Sequence, residues 1–159
     1  MPPSNLDRMI QLAKEFFALK NDPAQISVTE ETMEKFREIH PATLTEENDG
    51  SGPVAWILLI PTTHELMEQF IAKQITEREL LEKTPLQGRY DALYLCSALV
   101  LPEYRAKGLA KQLTRAAVKS IRADHPIERM FYWAFSPEGK KLAASVAREA
   151  DLPLYSRPE

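Results

Sequence analysis

From Ala92 to Val100 the chain reads Ala-Leu-Tyr-Leu-Cys-Ser-Ala-Leu-Val, nine residues with almost no polar break. A strand with one wet face alternates apolar and polar side chains, whereas an unbroken apolar run predicts a strand covered on both faces. Such a strand needs a layer on each side, which points to helices packed above and below a sheet. The downstream segments meet that demand. Gly108 to Arg122 reads as a helix with Leu109, Leu113, Ala116, Ala117 and Ile121 inward. Ile127 to Phe135 reads as an aromatic-rich strand. Ser136-Pro137-Glu138 opens a last helix with a cap, a proline at the first helical position and an acid. That helix turns Leu142, Ala143, Val146 and Ala147 inward, and Leu152 to Tyr155 reads as a short final strand. Strand-helix-strand order requires parallel neighbours, so the fold class is α/β (α+β).

Upstream, Ser4 caps a helix running to about Lys20, with Leu6, Met9, Ile10, Ala13, Phe16 and Phe17 on one face and Asn21-Asp22-Pro23 ending it. Ser27-Val-Thr-Glu30 is a capping box for a second helix, with Met33, Phe36 and Ile39 as its stripe and Pro41 as its stop. Ala42 to Thr45 is a short strand, then a polar turn, then a buried strand from Val54 to Ile60. Thr62-x-x-Glu65 and Thr76-x-x-Glu79 each announce a short helix, carrying Leu66, Met67, Phe70 and Ile71, then Leu80 and Leu81. Pro85 to Tyr90 is loop. No repeat, low-complexity tract or linker divides the chain, so residues 1–159 are expected to form one domain. It has a helical N-terminal part over 4–40, a helical insertion over 62–85 and a motif region over 91–150.

Composition narrows the class. With 159 residues, 44% hydrophobic and 27% charged, the chain supports a core and is not disordered. Its one cysteine, Cys96, cannot close an internal disulfide or build a cysteine zinc site. No apolar stretch approaches the ~18 residues of a membrane helix, and the start lacks a basic-then-apolar signal. These features lead to the expectation of a cytoplasmic protein that binds neither membrane nor nucleic acid. The net charge of -3 hides a segment, residues 105–122, that holds Arg105, Lys107, Lys111, Arg115, Lys119 and Arg122 and no acid.

That segment opens on the chemistry. Ala98-Leu-Val-Leu-Pro-Glu-Tyr-Arg-Ala-Lys-Gly-Leu-Ala110 takes a buried strand through a proline turn into a helix. The first helical N–H groups have no partners in the chain, and the helix dipole places about half a positive charge there. Gly108 lets a ligand approach the backbone and Ala110 keeps the next wall small, which together make a seat for phosphate or pyrophosphate. Lys107 and Lys111 at a helix N-terminus oppose the dipole, and a bound anion would offset that cost.

Val100-x-Pro102-x-x-Arg105-x-x-Gly108-x-Ala110 resembles the acyl-CoA-binding motif of the GNAT superfamily of N-acetyltransferases, whose core is Arg or Gln, two residues, Gly, one residue, Gly or Ala. The resemblance covers residues 91–150 best. It implies a mixed, largely antiparallel sheet with a central parallel strand pair and helices on both faces. It implies acetyl-CoA or another acyl-CoA as co-substrate, no metal, and direct acyl transfer to an unidentified amine. Leu99 and Val100 would pair with the pantetheine arm, and the amides of Arg105, Ala106, Lys107, Gly108, Leu109 and Ala110 would bind the pyrophosphate. An N–H near Val100 would polarise the thioester carbonyl. Four positions depart from the family. Ala147 stands where a tyrosine usually protonates the leaving thiolate, Asp151-Leu152 replaces a Gly-aromatic pair, and Ser136 replaces a common asparagine. The alternative is therefore a GNAT-like domain that binds acyl-CoA or a partner protein without catalysis.

Other residues carry two readings each. Cys96 is a nucleophile or, mid-strand and without a nearby histidine, a core residue. Tyr94 and Tyr132 are substitute acids or strand core, and Asp91 and Glu103 are bases or surface acids. His40, His64 and His125 show no metal spacing and read as loop or surface. Trp56, Phe131 and Trp133 read as packing, with one of them available to line a pocket. Uncovered sheet edges lead to the expectation of a homodimer.

Overall fold

The computed structural model describes residues 3–19, 30–133 and 137–158, without the side chains of 17–19. In chain order the elements are α1 (Asn5–Leu19), α2 (Glu30–Ile39), β1 (Leu44–Asn48), β2 (Pro53–Thr62), α3 (His64–Ile71) and α4 (Glu77–Lys83). Then come β3 (Ala92–Val100), a 3-10 turn (Pro102–Tyr104), α5 (Leu109–Asp124), β4 (Arg129–Trp133), α6 (Pro137–Ala150) and β5 (Leu154–Arg157). This is the element order expected. The Phe17 side chain, the stop at Asn21-Asp22-Pro23, the Ser27 cap and the Ser136 cap lie outside what is described.

The strands form one mixed sheet in the order β1-β2-β3-β4-β5. β1, β2 and β3 pair antiparallel through the longer ladders, and β3 pairs with β4 in parallel, as the family resemblance implies. β5 then joins β4 in parallel as well. Every residue of β2 is buried, and all but one of β3, so both faces of the sheet centre are covered. On one face α1 sets Met9 and Ala13 against Val54, Trp56 and Leu99, and α3 sets Phe70 edge-on to Tyr94. The other carries α2, α5 and α6, joined by His40–Asp124 at 2.6 Å and by Glu149 to Lys111 and Arg115.

Local details differ from expectation for physical reasons. Ser4 does cap α1, its hydroxyl accepting from the Asp7 N–H at 3.1 Å, but Leu6 is exposed where the first turn overhangs the β1–β2 turn. The cap of α3 is Thr63 and not Thr62, because the Thr62 hydroxyl is buried against that of Thr84 at 2.8 Å. Thr76 and Glu79 form the expected capping box. Along α5 the buried stripe is Thr114, Ala117, Val118 and Ile121, while Ala116 is exposed. Thr114 tolerates burial because its hydroxyl donates to the Ala110 carbonyl at 2.6 Å. His40 is buried rather than superficial: its Nδ1 accepts from the Ala42 N–H, leaving Nε2 to face Asp124.

Candidate functional site

Among the described residues β3 and β4 pair from Ala92↔Arg129 to Leu95↔Tyr132. The pairing described ends at Leu95, although β3 runs on to Val100. Just past Leu95 β3 also bulges, since Leu59 pairs with Leu95 and Leu58 with Ser97, leaving Cys96 as the extra residue. A bulge re-aims side chains. A cavity of about 790 Å³ lies beside it. Its walls come from β3 between Leu95 and Val100, from Tyr132 and Trp133 of β4, from Leu142 of α6, and from Leu12, Glu15 and Phe16 of α1.

The turn before α5 forms the outer end of the cavity. Arg105 folds back and donates its Nε to the Val100 carbonyl at 2.9 Å. Ala106 (φ 63) and Gly108 (φ 75) adopt left-handed backbone, and Gly108 caps α5 without a side chain. A Cβ on Gly108 would meet nothing within 4 Å. The conformation therefore selects glycine, and the space above it is open to a ligand.

The turn is braced against α1. Arg8 donates two hydrogen bonds to Glu103, at 2.8 and 2.6 Å, and Tyr104 donates to Asp49, which also accepts from Asn5. The Arg8 guanidinium, donating to Glu103, holds that carboxyl down at about 2. Glu103 is thus a committed ion-pair member rather than a free base. Asp91 is likewise engaged, accepting from the His64 N–H at 2.8 Å and lying 3.4 Å from Arg129, at the far end of β3 from the cavity.

Of the predicted residues, Leu99, Val100, Arg105, Ala106, Gly108, Leu109 and Ala110 line the cavity. Lys107 does not; its ammonium lies 5.6 Å from the centre of the Tyr104 ring. The cationic strip is less bare than its sequence: Glu149 of α6 meets Lys111 at 2.9 Å and Arg115 at 2.7 Å, and Arg122 donates to the Ala150 carbonyl. An acid supplied by another element offsets part of the repulsion that an anionic ligand was expected to relieve. Ala147 is buried in the core and offers no acid. Tyr132 and Trp133 reach the cavity, while Tyr94 is buried, with its hydroxyl on Glu77 at 2.6 Å.

Sequence reasoning missed Glu77 and the α1 wall. Glu77 falls in the first turn of α4, where an acid is expected for dipole reasons alone, so nothing marked it as buried. Leu12 and Phe16 read only as core of an amphipathic helix.

The acetyltransferase (GNAT) family model matches residues 6–146. The chain belongs to the GNAT acetyltransferase family. The match extends through α1 and the α3–α4 insertion, beyond the 91–150 region where the resemblance is best. A solved structure of the xEco2 acetyltransferase domain bound to a CoA conjugate is 11% identical, covering 97% of this chain and 86% of that one with a TM-score of 0.44. No curated protein matches the GNAT chain. Among the described residues no helix is long and apolar enough to cross a membrane, and no three His, Cys, Asp or Glu side chains gather to hold a metal.

Proposed function

We propose that this GNAT protein moves an acetyl group from acetyl-CoA directly to an amine. The observation that supports this most is the cavity lined by β3 from Leu95 to Val100 and by the α5 turn from Arg105 to Ala110. Leu99 and Val100 pair with the pantetheine arm as a missing strand would. The backbone from Arg105 to Ala110 takes the pyrophosphate, with Gly108 leaving room above it. An N–H near Val100 stabilises the oxyanion of the tetrahedral adduct. The protein acts as a single domain over residues 1–159, in the cytoplasm, as a homodimer, without a metal and without nucleic acid or membrane as partner.

Arg105→Glu and Gly108→Glu are expected to abolish CoA binding in calorimetric titration while leaving the fold intact by circular dichroism. Full CoA affinity in both variants would sink the assignment of this site. A second reading, acyl-CoA binding without catalysis, is favoured by Ala147, which is buried where the family usually has its acid. Thiol release from acetyl-CoA across an amine panel separates the two.

A further inference from the structure

Behind the cavity wall lies a polar cluster that acyl-CoA binding does not use. Glu77, at the start of α4, has no exposed surface. Its Oε2 accepts from the Tyr94 hydroxyl at 2.6 Å and from the Cys96 thiol at 3.5 Å. Cys96 is the bulged residue of β3 and lines the cavity, so it stands between Glu77 and whatever occupies that space. Burial, then the Glu77 charge, push the Tyr94 hydroxyl well above its ordinary value. Tyr94 therefore stays a donor and fixes the carboxylate. From β5, Arg157 brings a positive charge to the cluster: its guanidinium sits 4.4 Å from the Phe70 ring and 4.7 Å from that of Trp133, and it donates to the Ile75 carbonyl.

We propose that Glu77 is the proton store for acyl transfer, reached from the cavity through the Cys96 thiol. This rests on the acyl-transfer reading above. Cys96 passes its proton to Glu77 Oε2 while its sulfur takes one from the incoming ammonium, so the amine becomes neutral and Glu77 a carboxylic acid. The amine nitrogen then bonds to the thioester carbonyl carbon, the carbon–sulfur bond breaks, and its electron pair leaves on the CoA sulfur. Cys96 and Glu77 return the stored proton to that thiolate, and the second nitrogen proton goes to solvent. The sum is thioester plus ammonium giving amide, CoA thiol and one proton. One buried group serves both ends of the reaction, in a chain whose α6 carries Ala147 in place of an acid. A thiol can fill the middle position because its S–H donates to the Glu77 oxygen while its sulfur can accept from the cavity side.

Glu77→Gln keeps an oxygen for Tyr94 and Cys96 but cannot store the proton. With acetyl-CoA and spermidine, lysine amide and a lysine-bearing peptide as probes, it is expected to lower kcat about 100-fold and remove the acid limb of the kcat–pH profile. CoA affinity and melting temperature should stay at wild-type values. Cys96→Ser should retain more activity than Cys96→Ala, and Cys96→Ala serves as the test if Glu77→Gln does not fold. Wild-type kcat and an unchanged acid limb in Glu77→Gln, or in Cys96→Ala where that variant is needed, would overturn the proposal alone. Acetylated Cys96 in the intact mass spectrum would also overturn it, in favour of a covalent route. CoA binding by the wild type with no turnover of any probe would take down the acyl-transfer reading and this proposal together.

Discussion

Gly108 and Asp151 hold left-handed backbone at opposite ends of two helices, with different consequences. Gly108 (φ 75) begins α5 under open space, so an alanine there clashes with nothing and is strained only by its backbone. Gly108→Ala is expected to lower stability by about 1–2 kcal/mol in urea unfolding; an unchanged midpoint would mean that the turn can reshape. Asp151 (φ 56) closes α6: its N–H donates to the Arg148 carbonyl and the Leu152 N–H to that of Ala147, the bonding of a Schellman cap. Glycine is the residue this position favours, and Asp151→Gly is expected to stabilise by about 0.5 kcal/mol, the relief of strain exceeding the added chain entropy. The exposed Arg8–Glu103 pair has its own pH signature. Glu103 titrates at about 2 when folded, against an ordinary 4.5, so its contribution is present above pH 4.5 and is lost as pH falls toward 2. The difference in melting temperature between wild type and Glu103→Gln should shrink over that window.

At the scale of elements, the order of helices and strands was legible because each carries a period or a stop that depends on its own residues. What stayed hidden depended on pairs of elements. The inward face of α5 includes Thr114, satisfied by its own helix, and a polar letter gave no sign of that. The choice between Thr62 and Thr63 as a cap turned on Thr84, 22 residues further along the chain. The left-handed turn before α5 was readable from Gly108, while Glu77 became visible only once α4 lay against the β3 bulge. The α2–α5 junction was equally hidden, since His40, Tyr90, Asp124 and His125 come from three separate stretches. The His125 ring lies 4.6 Å from that of Tyr90 and 5.7 Å from that of His40. Burial, then the neighbouring His40, lower its pKa below 6.5. The unfolded chain therefore binds this proton more readily, and stability is lost as pH falls through 6.5. Between about pH 7.5 and about 5.5 the melting temperature of His125→Gln should fall less than that of the wild type; parallel curves would assign the acid sensitivity elsewhere.

For the whole molecule, the charge of -3 combines one basic segment with an acidic remainder: residues 105–122 hold six basic groups, and the other 14 face 23 acids. Folding then sets Glu149 against that segment, holding Lys111 and Arg115 on the wall of α5. An anionic ligand approaching the cavity meets an acidic protein whose local cations are partly neutralised, so surface charge would temper the affinity proposed for the turn. Removing the Glu149 charge releases Lys111, which lines the cavity, toward the ligand. Both Lys111 and Glu149 are more than a third exposed, so the pair contributes little to stability and salt screens it. Glu149→Gln is therefore expected to leave the melting temperature near that of the wild type and to tighten CoA binding several-fold at low salt. The gain should vanish at about 1 M salt, where the Debye length falls to ~3 Å. Calorimetric titration at the two salt levels decides the matter. Equal affinity of wild type and variant at low salt would mean that Lys111 takes no part in holding the ligand.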